Sequence, residues 1–219
     1  MTTKYLWMCR SWKGWLLAFM LLLSYRGAAW AETLIQPQQV IAGLSTQMQQ
    51  ALLQHQEQLR REPGAVFGLV EQILLPHVDF NRFSQLALGK HWRRATAEQQ
   101  RAFARSFQRM LVRTYAAAFL EYRTWQIKFL PRPEAVKTGS DLVIRSQVLF
   151  PGIKPVEAFY RMHHTVRGWQ IYDVVLEGVS LSTSYRSSFD RIVRQRGLDG
   201  LIAHLDQHNR AREEALASK

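Results

Sequence analysis

The sequence has one cysteine in 219 residues, Cys9, and it stands ahead of the first apolar run. A lipid-modified cysteine would follow such a run, so Cys9 is not a lipoprotein anchor. Beyond it there is no thiol, which removes disulfide staples, thiol catalysis and cysteine metal sites. The apolar stretch Gly14 to Leu23 is too short to span a bilayer comfortably. Motifs of catalysis are also missing: no G-x-S-x-G, no phosphate loop, no G-x-G-x-x-G and no H-E-x-x-H. His163 and His164 are adjacent on an expected strand, so they point to opposite faces and do not share a metal ion. Asp173 and Glu177 lie four apart on one strand, roughly 13 Å at the usual rise, too far for a glycosidase pair. Asp173 reads instead as a buried acid paired with an arginine. No catalytic set and no metal set emerges. Acidic residues are scarce, 17 against 29 Lys and Arg, giving a formal charge of +12.

What is present begins with an address. Lys4, Arg10 and Lys13 precede the apolar run, and Ala29-Trp30-Ala31 is an A-x-A cleavage pattern. Residues 1–31 therefore read as a secretory signal peptide cut after Ala31. Cleavage would leave 188 residues and, without Lys4, Arg10, Lys13 and Arg26, a charge of +8. That length suits one domain with a sizeable core, residues 32–212, followed by a charged tail, 213–219. An exported basic domain can meet anionic membranes, acidic proteins or nucleic acid. Arg93, Arg94, Arg101, Arg105, Arg109 and Arg113 form a basic cluster near Trp92. The neighbouring aromatic residues fall on the other face of their helix, however, away from any stacked base, so nucleic acid is not expected.

The chain is organised around Thr96 to Arg123. Phe103, Phe107, Leu111, Tyr115 and Phe119 recur every four residues with no Gly or Pro between them, which predicts one long helix. Thr96 and Gln99 form a capping box at its start. Arg101, Arg105, Arg109 and Arg113 are offset by two, so they lie on the opposite, outward face. Before it, helices are expected over 36–61, 65–75 and 80–88, broken by Pro63-Gly64, Pro76 and Gly89. After it the period changes to two. Strands are expected over 125–130, 141–150, 156–166 and 169–177, with Gly178 ending the sheet. Two helices follow, from Ser180 or Ser182 to Arg196 and from Leu198 to Arg212, separated by Gly197. The fold class is α+β: helices packed on a roughly four-stranded antiparallel sheet. The chain has eleven Phe, seven Trp and seven Tyr, and many of them fall on inward faces of helices and strands. A filled core and a lined cavity both fit that inventory.

Two segments carry a family resemblance. One is Leu75-Pro76-His77-Val78-Asp79-Phe80, continuing through Leu88-Gly89-Lys90-His91-Trp92 to Ala95-Thr96 and Gln99-Gln100-Arg101-Ala102-Phe103. The other is Gly168-Trp169-Gln170-Ile171-Tyr172-Asp173-Val174, then Glu177-Gly178-Val179-Ser180-Leu181, Tyr185-Arg186, Phe189 and Gly197. In this order, after a signal peptide, they resemble the toluene-tolerance (MlaC) family from about Val40 to His204. The Gln-rich first helix, the Pro131/Pro133 link and the Pro151 to Pro155 turn depart from the family pattern. The resemblance implies a curved sheet and helices enclosing an apolar lipid pocket. It implies a monomeric periplasmic phospholipid carrier serving outer-membrane lipid asymmetry. Its implied partners are phospholipid, an inner-membrane ABC transporter with an MCE-domain subunit, and an outer-membrane lipoprotein–porin complex. No enzyme activity, metal or cofactor is implied; phospholipid is the cargo.

Inward periodicity together with the family's pocket nominates Phe83, Leu86, Phe103, Phe107, Leu111, Tyr115, Ile144, Val148, Tyr160, Met162 and Val174 as pocket lining. The outward row Arg101, Arg105, Arg109 and Arg113 is nominated for headgroup or partner contact. Two other classes stay open on residues alone. A secreted enzyme would gather His77, Tyr160 and Asp173 in a polar cleft. A basic docking adaptor would have a tightly packed core and no lipid.

Overall fold

A computed structural model describes residues 36–131 and 141–217. The expected signal peptide and most of the Pro131/Pro133 link lie outside the described residues. Helix α1 covers Gln36–Gln54 and α2 Gln56–Arg61, so the expected single helix is broken at His55. Helix α3 covers Ala65–Ile73 and passes into a short 3₁₀ turn, Leu75–His77, where Pro76 removes a backbone donor. Helix α4, Phe80–Leu88, is capped by Asp79, whose carboxylate accepts from the Arg82 amide. Helix α5 runs Ala97–Tyr115 with both bonds of the Thr96/Gln99 capping box formed. It stops at Tyr115, and one more turn, α6, covers Ala118–Glu121.

The sheet is a meander of five antiparallel strands rather than four: β1 Gln126–Phe129, β2 Asp141–Leu149, β3 Val156–Thr165, β4 Gly168–Leu176 and β5 Val179–Ser180. Gly178 was expected to end the sheet. Instead Glu177 (φ 48°) and Gly178 (φ 80°) both take positive φ, the geometry of a two-residue hairpin that turns the chain back along β4. Ser180 then caps the short helix α7, Leu181–Ser184, and α8 spans Arg186–Ala217. Gly197, with φ 70° and ψ 177°, breaks α8 where the sequence expects a boundary. The helix continues to Ala217, past the start of the expected tail. Just after the break Gly200 is required, since a Cβ there would lie 2.5 Å from the Arg196 Cβ.

Beyond Gly197, α8 lies along α5 in the same direction. Gln99 donates to Asp199 (2.9 Å), Ser106 to Asp206 (2.6 Å), and Arg113 pairs with Glu213. Each pair spans one hundred residues, and successive pairs are seven residues apart. This is a parallel seam with heptad spacing. The outward arginine row is therefore partly occupied: Arg109 joins Asp206 (2.8 Å) and Arg113 is largely buried beside Glu213, while Arg101 and Arg105 stay exposed.

The first half of α8 is held by Asp190. Its carboxylate meets Lys90 (2.9 Å), His91 (2.7 Å) and Arg194 (2.8 Å), and the Lys90 and His91 hydrogen bonds hold it well below the usual carboxylate range. A depressed folded-state pKa adds stability that is present above the unfolded value, about 3.9, and is lost as pH falls. Asp190→Asn should therefore melt lower than the parent at pH 6, with the gap beginning to narrow only as pH falls below about 4 and closing at still lower pH. A gap as wide at about pH 2 as at pH 6 would assign the loss to packing instead.

Candidate functional site

Buried apolar residues form three clusters rather than one. Phe83, Phe103, Phe107, Phe189, Leu201 and Leu205 join α4, α5 and α8. Met48, Leu52, Val66, Val70 and Val112 join α1, α3 and α5. Ile41, Leu44, Leu142, Ile144 and Met162 join α1 to the sheet. A cavity of about 400 Å³ lies where the three meet.

Its wall comes from every layer. Helix α1 supplies Ile41, Leu44, Ser45 and Met48, and the α3 end supplies Val70, Leu74 and Leu75. Helix α4 gives Phe80 and Phe83; α5 gives only its last turn, Leu111, Val112, Tyr115 and Ala116. Ala118, Phe119, Tyr122 and Trp125 follow, and Leu181 closes one side. The sheet contributes Ile127, Val148, Tyr160, Ile171, Val174 and Leu176. In register Tyr160 faces Val174 and Val148 faces Ile127, so these side chains share one sheet face.

Among the described residues no charged side chain lines the wall. Its few polar atoms are engaged within the protein. Ser45 accepts from the Trp125 indole at 2.8 Å and from Gln49 at 3.2 Å. Burial pushes the Tyr160 hydroxyl up, against a smaller lowering by its bond with Ser146. Tyr160 therefore stays a neutral phenol on an apolar surface.

A polar clasp fixes α4 against the sheet and so sets Phe80 and Phe83 on the wall. The Asp79 amide donates to the Ile171 carbonyl (2.8 Å), and His163 sits 3.0 Å from the Asp79 carboxylate. Arg82 pairs with Asp141 through both terminal nitrogens and stacks 3.8 Å over the Tyr172 ring. That pairing lowers the Asp141 pKa and raises that of Arg82.

The structure divides the nominated lining. Phe83, Leu111, Tyr115, Val148, Tyr160 and Val174 are on the wall. Phe103 and Phe107 are not, because α8 covers that part of the α5 face with Phe189, Leu201 and Leu205. Ile144 and Met162 share the inner sheet face but pack beneath Ile41 and Leu44 of α1. Leu86 lies at the α8 junction, where its carbonyl accepts from the Arg186 Nε at 3.0 Å. The sequence reading missed the α1 stripe, the α3 end and the Phe119–Trp125 link. The α1 stripe carried a signal, an apolar residue every three or four positions.

Asp173 is fully buried and takes bonds from Ser180 (2.7 Å), the Ser182 amide (3.1 Å) and Arg161 (3.3 Å), the expected acid–arginine pair. Because Val174 shares the face of Tyr160, Asp173 points to the other side of the sheet. The polar cleft that would unite Tyr160 with Asp173 is not assembled. Among the described residues no three His, Asp or Glu come together as a metal site, and no helix is long and apolar enough to cross a membrane.

Fold and wall together define an α+β protein built around an uncharged, largely apolar cavity. A family model described as MlaC protein matches residues 43–207, and the chain belongs to that family. It is 26% identical over 164 residues to the toluene tolerance protein ttg2D of Pseudomonas putida, covering 74% of this chain and 75% of that one. It is 24% identical over 156 residues to the intermembrane phospholipid transport system binding protein MlaC of Haemophilus influenzae, covering 70% and 72%. A phospholipid-binding protein from Ralstonia solanacearum, solved with a phospholipid at 1.53 Å, superposes with a TM-score of 0.72 at 31% identity. That match covers 80% of this chain and 98% of the solved one.

Proposed function

We propose that this chain is a periplasmic phospholipid carrier that encloses acyl chains in the cavity and acts without chemistry of its own. The observation that carries the reading is the cavity wall: about 400 Å³ bounded by uncharged side chains. Were it sealed and empty, a void of that size would cost on the order of 10 kcal/mol at roughly 24 cal/mol per Å³. That rivals the whole stability of a typical domain, about 5–15 kcal/mol. Filling it with methylenes offsets that cost and adds about 0.8 kcal/mol for each one removed from water. Family membership and the phospholipid held by the Ralstonia relative support the same reading. In this role the carrier exchanges lipid with an inner-membrane ABC transporter bearing an MCE-domain subunit and with an outer-membrane lipoprotein–porin complex, and so serves outer-membrane lipid asymmetry.

The test is purification from a Gram-negative host without detergent, followed by native mass spectrometry and organic extraction. Near-stoichiometric phospholipid is expected. Leu111→Glu sets a carboxylate against the tails and should empty the protein, since burying an unpaired charge costs several kcal/mol. Ala118→Trp, at an exposed wall position, should reduce the load while leaving the fold intact. A parent protein that carries no lipid and takes none from vesicles would overturn the reading.

A further inference from the structure

Two short segments bring their positive charge to one surface. Residues 89–94 and 190–196 carry Lys90, Arg93, Arg94, Arg191, Arg194 and Arg196 against a single acid, Asp190. All six cations are exposed and Asp190 is partly buried. That acid joins the segments, meeting Lys90 and His91 from one and Arg194 from the other. One carboxylate offsets one charge, so most of the positive charge is left to face solvent. The acids that follow each segment, Glu98 and Asp199, line a separate groove between α5 and α8.

The patch is stiff as well as basic. Its first segment is a 3₁₀ turn, Gly89–Arg94, and beneath it Trp92 and Phe189 are buried in one cluster. The Trp92 carbonyl accepts from the Gln100 side chain at 2.9 Å, which fastens this turn to the start of α5. Lys90 and Arg194 are already held by Asp190, so they lose less side-chain freedom on meeting a ligand. Position then limits what the patch can serve. Of the cavity-lining residues only Tyr115 and Ala118 are exposed, so the cavity opens where α5 ends. The patch stands where α5 begins, and at 1.5 Å per residue Ala97–Tyr115 puts about 27 Å between them. A bilayer gripped at the patch would hold the mouth away from the lipid surface. A protein gripped there leaves the mouth open. Five of the six cations are Arg, whose planar fork takes a carboxylate through two parallel bonds.

We propose that this patch is a docking face for an acidic protein surface, recognised through its Asp and Glu carboxylates, and that it holds the chain while the cavity mouth stays free for exchange. The docking face stands on the patch alone; the free mouth rests on the carrier reading. Opposite charge draws such a partner in from beyond contact distance and fixes its orientation.

The experiment measures binding of end-labelled poly-L-glutamate by fluorescence anisotropy at about 0.1 M ionic strength, where charges beyond about 10 Å are largely screened. Arg93→Gln, Arg94→Gln and Arg191→Gln together remove three exposed charges that lie outside the Asp190 ion pairs. This triple variant should bind roughly tenfold more weakly than the parent. Arg61→Gln, Lys128→Gln and Arg210→Gln together remove the same charge from other exposed positions and should stay within about twofold of the parent. No binding by the parent, or an equal loss in the two triple variants, overturns the docking face. Phosphatidylglycerol vesicles supply the other anionic surface. Tighter binding to them than to polyglutamate, lost in the patch variant, would assign the face to membranes and overturn the protein partner. Parent saturated with polyglutamate should take lipid from phosphatidylcholine vesicles as fast as free parent does. Slower uptake would show that the bound chain reaches the mouth, and so overturn the separation of the two. A parent that takes no lipid with or without polyglutamate defeats the carrier reading and leaves the docking result standing.

Discussion

Phe107→Ala is expected to cost about 3–5 kcal/mol, the range for deleting a fully buried aromatic side chain. Phe107 is 0% exposed and meets four rings: Phe83 at 5.9 Å, Phe103 at 5.4 Å, Tyr185 at 5.5 Å and Phe189 at 5.3 Å. These bring together α4, α5 and α8, so the void cannot close by moving one helix. For a chain of this size each kcal/mol shifts the midpoint by about 2–4 °C, which puts the melting point roughly 10 °C lower. Because Phe107 is off the cavity wall, molecules that remain folded at low temperature should still carry lipid. Leu111, one turn later on the same face, should show the opposite emphasis. Calorimetry and lipid extraction on the two variants check the contrast. Equal loss of lipid in both would mean that the cluster and the cavity form one compartment.

Asp173→Ala should cost about 3 kcal/mol, the low end for removing one partner of a buried charge pair, because Arg161 is 40% exposed and rehydrates. The larger part of the loss comes from the amide of Ser182, which would be left buried without an acceptor. Asp173→Asn keeps an acceptor and should cost less. The effect reaches function, since the same carboxylate anchors Ser180 and Ser182 on either side of the wall residue Leu181. Lipid load should therefore fall along with stability. Urea denaturation measures the first effect and extraction the second. A loss below about 1 kcal/mol for the alanine variant would show that the network is replaceable by water.

The elements were legible wherever one local signal decided them. Thr96 with Gln99 fixed the start of α5, and Gly197 marked the break in α8. The alternation from Asp141 to Phe150 marked β2. The fifth strand was hidden because it is two residues long, and its turn depends on Glu177 adopting positive φ, which no side-chain pattern announces. The cavity was only half legible. Phe103, Phe107, Leu111 and Tyr115 form one unbroken stripe, yet α8 covers the first two and leaves the last two facing the void. That division depends on contacts between residues one hundred apart. Periodicity tells which face turns inward. It does not tell what meets that face.

The parallel seam between α5 and α8 also bears on how the chain folds. Joining residues separated by one hundred positions is a high-contact-order event, and such closures are slow because loop entropy is lost before the contacts form. Until residues 198–217 arrive, the Phe103 and Phe107 stripe lacks the cover of Leu201 and Leu205, and Arg113 lacks Glu213. The meander from β1 to β5 can zip up from neighbouring strands well before then. Contact order predicts assembly from sheet to seam, with the C-terminal helix docking last. On that order those rings stay exposed longest during folding, which makes this stripe the surface that a holding chaperone would need to cover.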